Sequence, residues 1–149
     1  MLTSSPELAA AAAETGAQPV ELDARGSSAV DTAIQQVHAQ HGRLDGVVNC
    51  AGSILLKPAH LISDQEFADT ISVNLTTAFQ VLRAAARILM RQPGGGSIVL
   101  CSSVAARRGL INHEAIAAAG DVFDDLALLA AKCGITKYFV EDFEGAGHE

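Results

Sequence analysis

Two short β-branched runs, Gly46 to Cys50 (GVVNC) and Ser97 to Cys101 (SIVLC), bracket a segment built on another period. Between them Phe67, Ile71, Leu75, Ala78, Leu82, Ala85 and Leu89 stand three or four residues apart, the spacing of one face of a helix. Ser63-Asp64-Gln65-Glu66 opens that stretch as a capping box, Ser at the cap and Glu three residues on. Gly94-Gly95-Gly96 closes it, after roughly seven helical turns. A strand, a long amphipathic helix and a second strand form a crossover unit, which places the two strands parallel in one sheet.

The flanking sequence continues the rhythm. Ser5-Pro6-Glu7 reads as a helix start, with a hydroxyl cap and Pro in the first turn, and the Ala-rich run behind it ends at Gly16. Gln18 to Leu22 (QPVEL) reads as a short strand ending at Asp23, and Val30, Ile34 and Val37 mark a helix that stops at Gly42. A further helix is expected over His113 to Cys133, closed by Gly134, and Lys137 to Glu141 (KYFVE) is the last strand candidate. The fold class is α/β, a mainly parallel sheet with helices on both faces. Right-handed crossovers put Asp23, Asn49 and Ser102-Ser103 on the edge made by the strand C-termini, where open sheets of this class bind ligands.

Composition narrows the function. The chain has 149 residues, 49% of them hydrophobic, enough for one domain with a real core. A net charge of −7 opposes a phosphate-tracking surface, and Arg107-Arg108 is the only adjacent basic pair, so no nucleic acid partner is expected. No apolar run reaches the ~20 residues of a membrane span. The N-terminal residues carry no signal-peptide pattern, so the expected compartment is cytoplasmic. Cys50, Cys101 and Cys133 contain no CxxC pair and fit reduced thiols better than a zinc site or a disulfide framework. His38 and His41 lack a completing ligand set, so no metal is expected.

Three positions carry candidate chemistry, each with a plainer reading beside it. Asn49-Cys50-Ala51-Gly52 follows a strand with small residues that let a ligand approach the backbone, or is an ordinary turn. Asn74 falls on the apolar face of the long helix, either as a functional amide or as a structural one bonded to neighbouring backbone. Ser103 ends the second strand, as a hydroxyl facing a substrate or as the cap of the next turn. Arg83, Arg87 and Arg91 form a stripe expected to be exposed opposite the core face, and His113-Glu114 an exposed pair at a helix start.

Taken together, these positions resemble the short-chain dehydrogenase/reductase family over roughly residues 5–119. LDGVVNCAG (44–52) is similar to the family's strand and Asn-Asn-Ala-Gly motif, with Cys50 in place of the second Asn. SVNL (72–75) resembles the helix bearing the catalytic Asn, here Asn74, and GGGSIVLCSSVAARRG (94–109) the strand bearing the catalytic Ser, here Ser103. Asp23 stands where the family has an Asp that contacts adenine. The resemblance implies a partial Rossmann-type, doubly wound sheet and NAD- or NADP-dependent hydride transfer between an alcohol and a ketone. It makes Ser103 and Asn74 the catalytic positions and Asp23, Asn49, Ala51 and Gly52 the cofactor-binding ones.

The sequence also departs from the family. The Tyr general acid/base expected thirteen residues after the Ser is Ile116, the Lys four further on is Gly120, and no Tyr-xxx-Lys occurs anywhere in the chain. The family's opening strand and Gly-rich phosphate turn are absent from these residues, and Gly94-Gly95-Gly96 is no substitute because it precedes a strand. The family strand order 3-2-1-4-5 then leaves the strand at 46–50 short of a neighbour and the one at 18–22 detached. Residues 1–119 are expected to be the truncated Rossmann-type domain, and 120–149, with 7 acids against 2 bases, a divergent helix–strand tail packed on it. Two functions follow: the family's NAD(P)-dependent oxidoreductase acting on a small carbonyl or alcohol, or a catalytically inactive remnant or protein-interaction module. Self-association is expected through the 64–92 helix or through exposed sheet edges.

Overall fold

A computed structural model describes residues 6–108 and 110–120 and the strand Thr136–Val140. The helix α1 (Pro6–Thr15) ends at Gly16, whose φ of 72° is the left-handed turn foreseen there. Helix α2 (Ser27–His41) stops in the same way, the Gly42 amide donating to the His38 carbonyl. Strand β1 (Gly46–Asn49) is followed by a 3₁₀ turn (Ala59–Leu61), α3 (Asp64–Ile71), a π-helical stretch (Ser72–Thr76) and α4 (Thr77–Leu89). Strand β2 (Ser97–Cys101), α5 (Ala105–Arg108) and a helical segment at 114–120, α6, lead towards β3 (Thr136–Val140). The remainder of the helix expected to Cys133 lies outside the described residues.

All three strands are parallel, in the order β1-β2-β3. Val47 pairs with Ile98 and Asn49 with Leu100, while Leu100 pairs with Phe139 and Cys101 with Val140. The period of two along β2 sends Ile98 and Leu100 to one face, where they meet Ala78, Ala85 and Leu89 of α4. The two alanines are fully buried and allow α4 a close approach to the sheet. Burying Leu89 contributes about 2 kcal/mol. A second stripe of α4, Val81 and Ala84, packs against Val30 of α2 and against Leu22. Gln92 clips the end of this helix to the start of β1, accepting from the Leu44 amide at 3.1 Å and donating to its carbonyl at 2.6 Å.

Four features differ from the sequence reading. Residues 18–22 form no strand: with no ladder partner beside them among the described residues, Leu22 joins the α2–α4 contact while Val20 stays exposed. Strand β1 is half-exposed instead of buried, because among the described residues nothing covers the face carrying Val48, which is 62% exposed. The seven-turn helix is broken into α3 and α4 by the π-helical stretch. One extra residue in a turn rotates everything before it by about 100°. The buried set therefore becomes Thr70, Asn74, Thr77 and Ala78, and Phe67, expected on the core face, is 45% exposed.

Within the arginine stripe Arg87 and Arg91 are exposed as expected, and only Arg83 departs from it. Arg83 is half-buried, its guanidinium 5.5 Å from the Phe79 ring centre, and Arg87 reaches Asp31 of α2 at 3.1 Å. The first contact joins residues four apart on α4 itself, and the second arises because α2 lies alongside α4.

Candidate ligand cavity at the strand C-termini

Parallel strands β1 and β2 end side by side, and the chain leaves both in tight turns. Between those turns, the π-helical stretch and α6 lies a cavity of about 460 Å³. Its strand-end wall is made by Cys50 to Ser53, Asn74 and Ser103, and its opposite wall by His113, Ile116 and Gly120.

Asn74 organises the first wall. Its Oδ1 accepts from the Ser53 amide at 2.9 Å, and its Nδ2 donates to the Ser53 hydroxyl at 3.2 Å and to the Thr70 carbonyl at 2.9 Å. That carbonyl, four residues back, is the acceptor a regular α-helix would give to the amide of residue 74. The side chain thus supports the helix where its hydrogen-bond ladder changes pitch, and it pins the turn after β1 to the helix. Gly52 fits beneath it because a Cβ there would lie 3.1 Å from Asn74 Oδ1. The plainer reading of Asn74 as a satisfied structural amide is realised.

Ser103 likewise takes the capping role. Its Oγ accepts from the Ala105 amide at 3.2 Å, starting α5, and the residue lines the cavity. Ala51 and Gly52 line the cavity, and Asn49 sits just behind them, 6% exposed at the end of β1. Asp23 is not among the residues around this cavity. It is exposed before α2 and bound by both carboxylate oxygens to Arg25, at 2.8 and 2.9 Å, which holds its carboxyl down at about 2.

The outer support of the wall is a short ionic network. Lys57 meets both oxygens of Glu66 at 2.8 and 2.9 Å, and the capping box forms as expected, Ser63 accepting from the Glu66 amide and donating its own to Glu66. The Lys57 ammonium, with the Ser63 amide and hydroxyl, lowers the Glu66 carboxyl to about 2. The Lys57 amide also donates to the carbonyl of Asn112, whose φ of 62° turns the chain from α5 towards α6.

A family model described as enoyl-(acyl carrier protein) reductase matches residues 3–133, further along the chain than the motifs carry the resemblance. The chain is 35% identical to D-threitol dehydrogenase of Mycolicibacterium smegmatis over 64% of its own length and 36% of that enzyme's. A short-chain type dehydrogenase/reductase from Mycobacterium ulcerans superposes with a TM-score of 0.78 at 33% identity, over 86% of this chain and 50% of that one. A metagenomic short-chain oxidoreductase solved in complex with NADP gives 0.75 at 26% identity, covering 86% of this chain and 60% of the other. The chain belongs to the short-chain dehydrogenase/reductase family. It spans little more than a third of the length of the first curated relative.

Within the family frame, the second wall is the informative one. Ile116 and Gly120, standing where the family resemblance has Tyr and Lys, are both buried and both line the cavity. A Cβ on Gly120 would lie 2.8 Å from that of Ala106, so any side chain there needs α5 or α6 to shift. His113 is half-buried on this wall, its Nδ1 2.8 Å from the Ile111 carbonyl, whereas an exposed pair with Glu114 was expected. The turn at Asn112 brings it inward, and a left-handed Asn leaves no period in the sequence to reveal that. Ser53 was also not foreseen, since its role depends on Asn74 arriving from the helix.

Among the described residues no helix is long and apolar enough to cross a membrane.

Proposed function

We propose that this chain keeps a family ligand cavity but does not carry out hydride transfer. Reduction of a ketone by hydride leaves an alkoxide that must receive a proton, and oxidation of an alcohol must give one up. Ile116 stands at the position of the family's proton donor and has no ionisable proton, and Gly120 offers no cation to lower a neighbour's pKa. That pair of side chains is the observation that carries the reading.

The first wall supports ligand binding. Ser103 has a hydroxyl to donate to a carbonyl oxygen, and the small residues Ala51 and Gly52 present backbone at the cavity surface. They fit one side of an NAD or NADP site, in which the nicotinamide would supply the hydride. Asn74 holds that side in shape, and Asn49 lies buried at the end of β1 behind it. Asp23, tied to Arg25, contributes to such a site only through chain that lies beyond this cavity.

The test is a titration of NADH and NADPH by fluorescence, on chain shown to be folded by circular dichroism, followed by a panel of ketones. Weak or no saturable binding and no carbonyl-dependent oxidation are expected. Steady turnover by the unaltered chain would overturn the reading and restore the family's oxidoreductase activity.

A specific observation favours an interaction role beside it: β1 presents an open outer edge among the described residues, with Val48 exposed. Such edges pair with further strands. Light scattering at rising concentration should show association, and a strictly monomeric chain would remove this part of the reading.

A further inference from the structure

One pair of side chains in the cavity is used by neither wall's chemistry. Cys50 stands one residue beyond the last register pair of β1 and Cys101 at the same level on β2, and their Sγ atoms are 3.2 Å apart. We propose that Cys50 and Cys101 are a redox-active dithiol, which reacts with small-molecule disulfides and closes to an intrachain disulfide in the cavity wall.

The geometry meets each requirement of the reaction. Neighbouring parallel strands lie about 4.8 Å apart, inside the Cα–Cα range of roughly 4.4–6.8 Å that a disulfide bridges. The two sulfurs face each other already, so bonding needs side-chain rotation and no movement of the sheet. Cys50 is exposed and Cys101 partly covered, which sets the order of attack. Both thiols border the cavity of about 460 Å³, which gives a small disulfide access to them. A reduced pair of this kind would serve ordinary packing equally well if both sulfurs were sealed from solvent, but Cys50 is not.

The steps balance with a low-molecular-weight disulfide as oxidant. The Cys50 thiolate attacks one sulfur of that disulfide, breaking its S–S bond, forming a mixed disulfide and releasing one small thiolate. Cys101 then loses its proton to solvent and attacks Cys50 Sγ, forming the Cys50–Cys101 bond and releasing the second small thiolate. Two electrons pass from the protein dithiol to the small disulfide, and the two protons end on the two small thiols. Burial, with a smaller contribution from Cys50, pushes the Cys101 thiol up to about 11, so the second step is the slow one at neutral pH. Oxidation removes both S–H groups from the wall and fixes the ends of β1 and β2 to each other beside Asn74 and Ser103. This inference is independent of whether the cavity serves hydride transfer, since it uses neither Ile116 nor Gly120.

The experiment treats the full chain carrying Cys133→Ser with oxidised glutathione, with and without denaturant, and reads the products by intact mass and peptide mapping. Folded protein should lose two hydrogens and yield one linked pair of peptides containing Cys50 and Cys101, reversed by dithiothreitol. In denaturant the same chain should carry glutathione adducts instead. The closure rate should rise about tenfold per pH unit between pH 7 and 9, following the Cys101 thiolate fraction. Stable glutathione adducts on the folded chain, or no reaction of it, would overturn the proposal. If the Cys133→Ser chain does not fold, the unaltered chain is mapped, where a Cys50–Cys101 link supports the proposal and any link to Cys133 sinks it.

Discussion

The two walls of the cavity are built to different standards. The strand-end wall is held by hydrogen bonds: the Asn74 amide makes three, Ser103 caps α5, and Gly52 leaves the room that Asn74 needs. On the α6 wall, apart from His113 and its contact to the Ile111 carbonyl, the contacts are apolar and close, with Ile116 buried and Gly120 pressed on Ala106. A wall that had to hold a Tyr and a Lys would need both space and polar partners. The difference teaches that one wall of the cavity is held by hydrogen bonds and the other by close packing at Ile116 and Gly120.

The comparison can be broken most severely at Asn74. Asn74→Ala strands the Ser53 amide and the Thr70 carbonyl and should cost about 2–3 kcal/mol in urea unfolding. A loss under 1 kcal/mol would mean that the first wall is not held by this amide. The other wall is probed by Gly120→Ala, which gains helix propensity but meets Ala106, for a net loss of about 1–2 kcal/mol. Ala106→Gly removes the contact at a helix-propensity cost of its own, so the loss caused by Gly120→Ala should be smaller in the Ala106→Gly background. If the loss is the same in both backgrounds, the tight packing is not what excludes a side chain at 120.

A smaller effect is expected from Ser103→Ala, which removes a cap from a short helix and should lower stability by about 1 kcal/mol. Equal stability of the variant would leave the hydroxyl to a ligand role alone. The gentlest test is pH. The carboxyl of Glu66 is depressed to about 2 in the folded chain, so its support is fully present above the unfolded value near 4.3 and fades as pH falls towards 2. Thermal melts between pH 5 and 2 should therefore flatten in Glu66→Gln relative to the unaltered chain, by a small amount because the pair is partly exposed.

The sequence was legible wherever local rules suffice. The capping box at Ser63-Glu66, the left-handed stops at Gly16 and Gly42, and the β-branched runs of β1 and β2 all appear where composition and spacing put them. The strand expected at Lys137 to Glu141 appears one residue earlier, as Thr136–Val140. Of the six predicted site residues, Asn74, Ser103, Ala51 and Gly52 share one cavity, Asn49 backs it, and Asp23 lies apart from it. What failed depended on neighbours: 18–22 is a strand only if another strand lies beside it, and β1 is buried only if its second face is covered.

What the sequence by itself determined is the succession of β1, a helical crossover and β2, the parallel α/β class and the residue types at the site, including Ile116 and Gly120 where the family resemblance has Tyr and Lys. These follow from side-chain period, caps and motif spacing, all of which act over a few residues. Tertiary structure alone decided the phase of the long helix, the inward turn of His113, and the meeting of Cys50 with Cys101. Each depends on pieces of chain far apart in sequence, because a single extra residue in a turn rotates a helix face and only strand register sets which side chains touch.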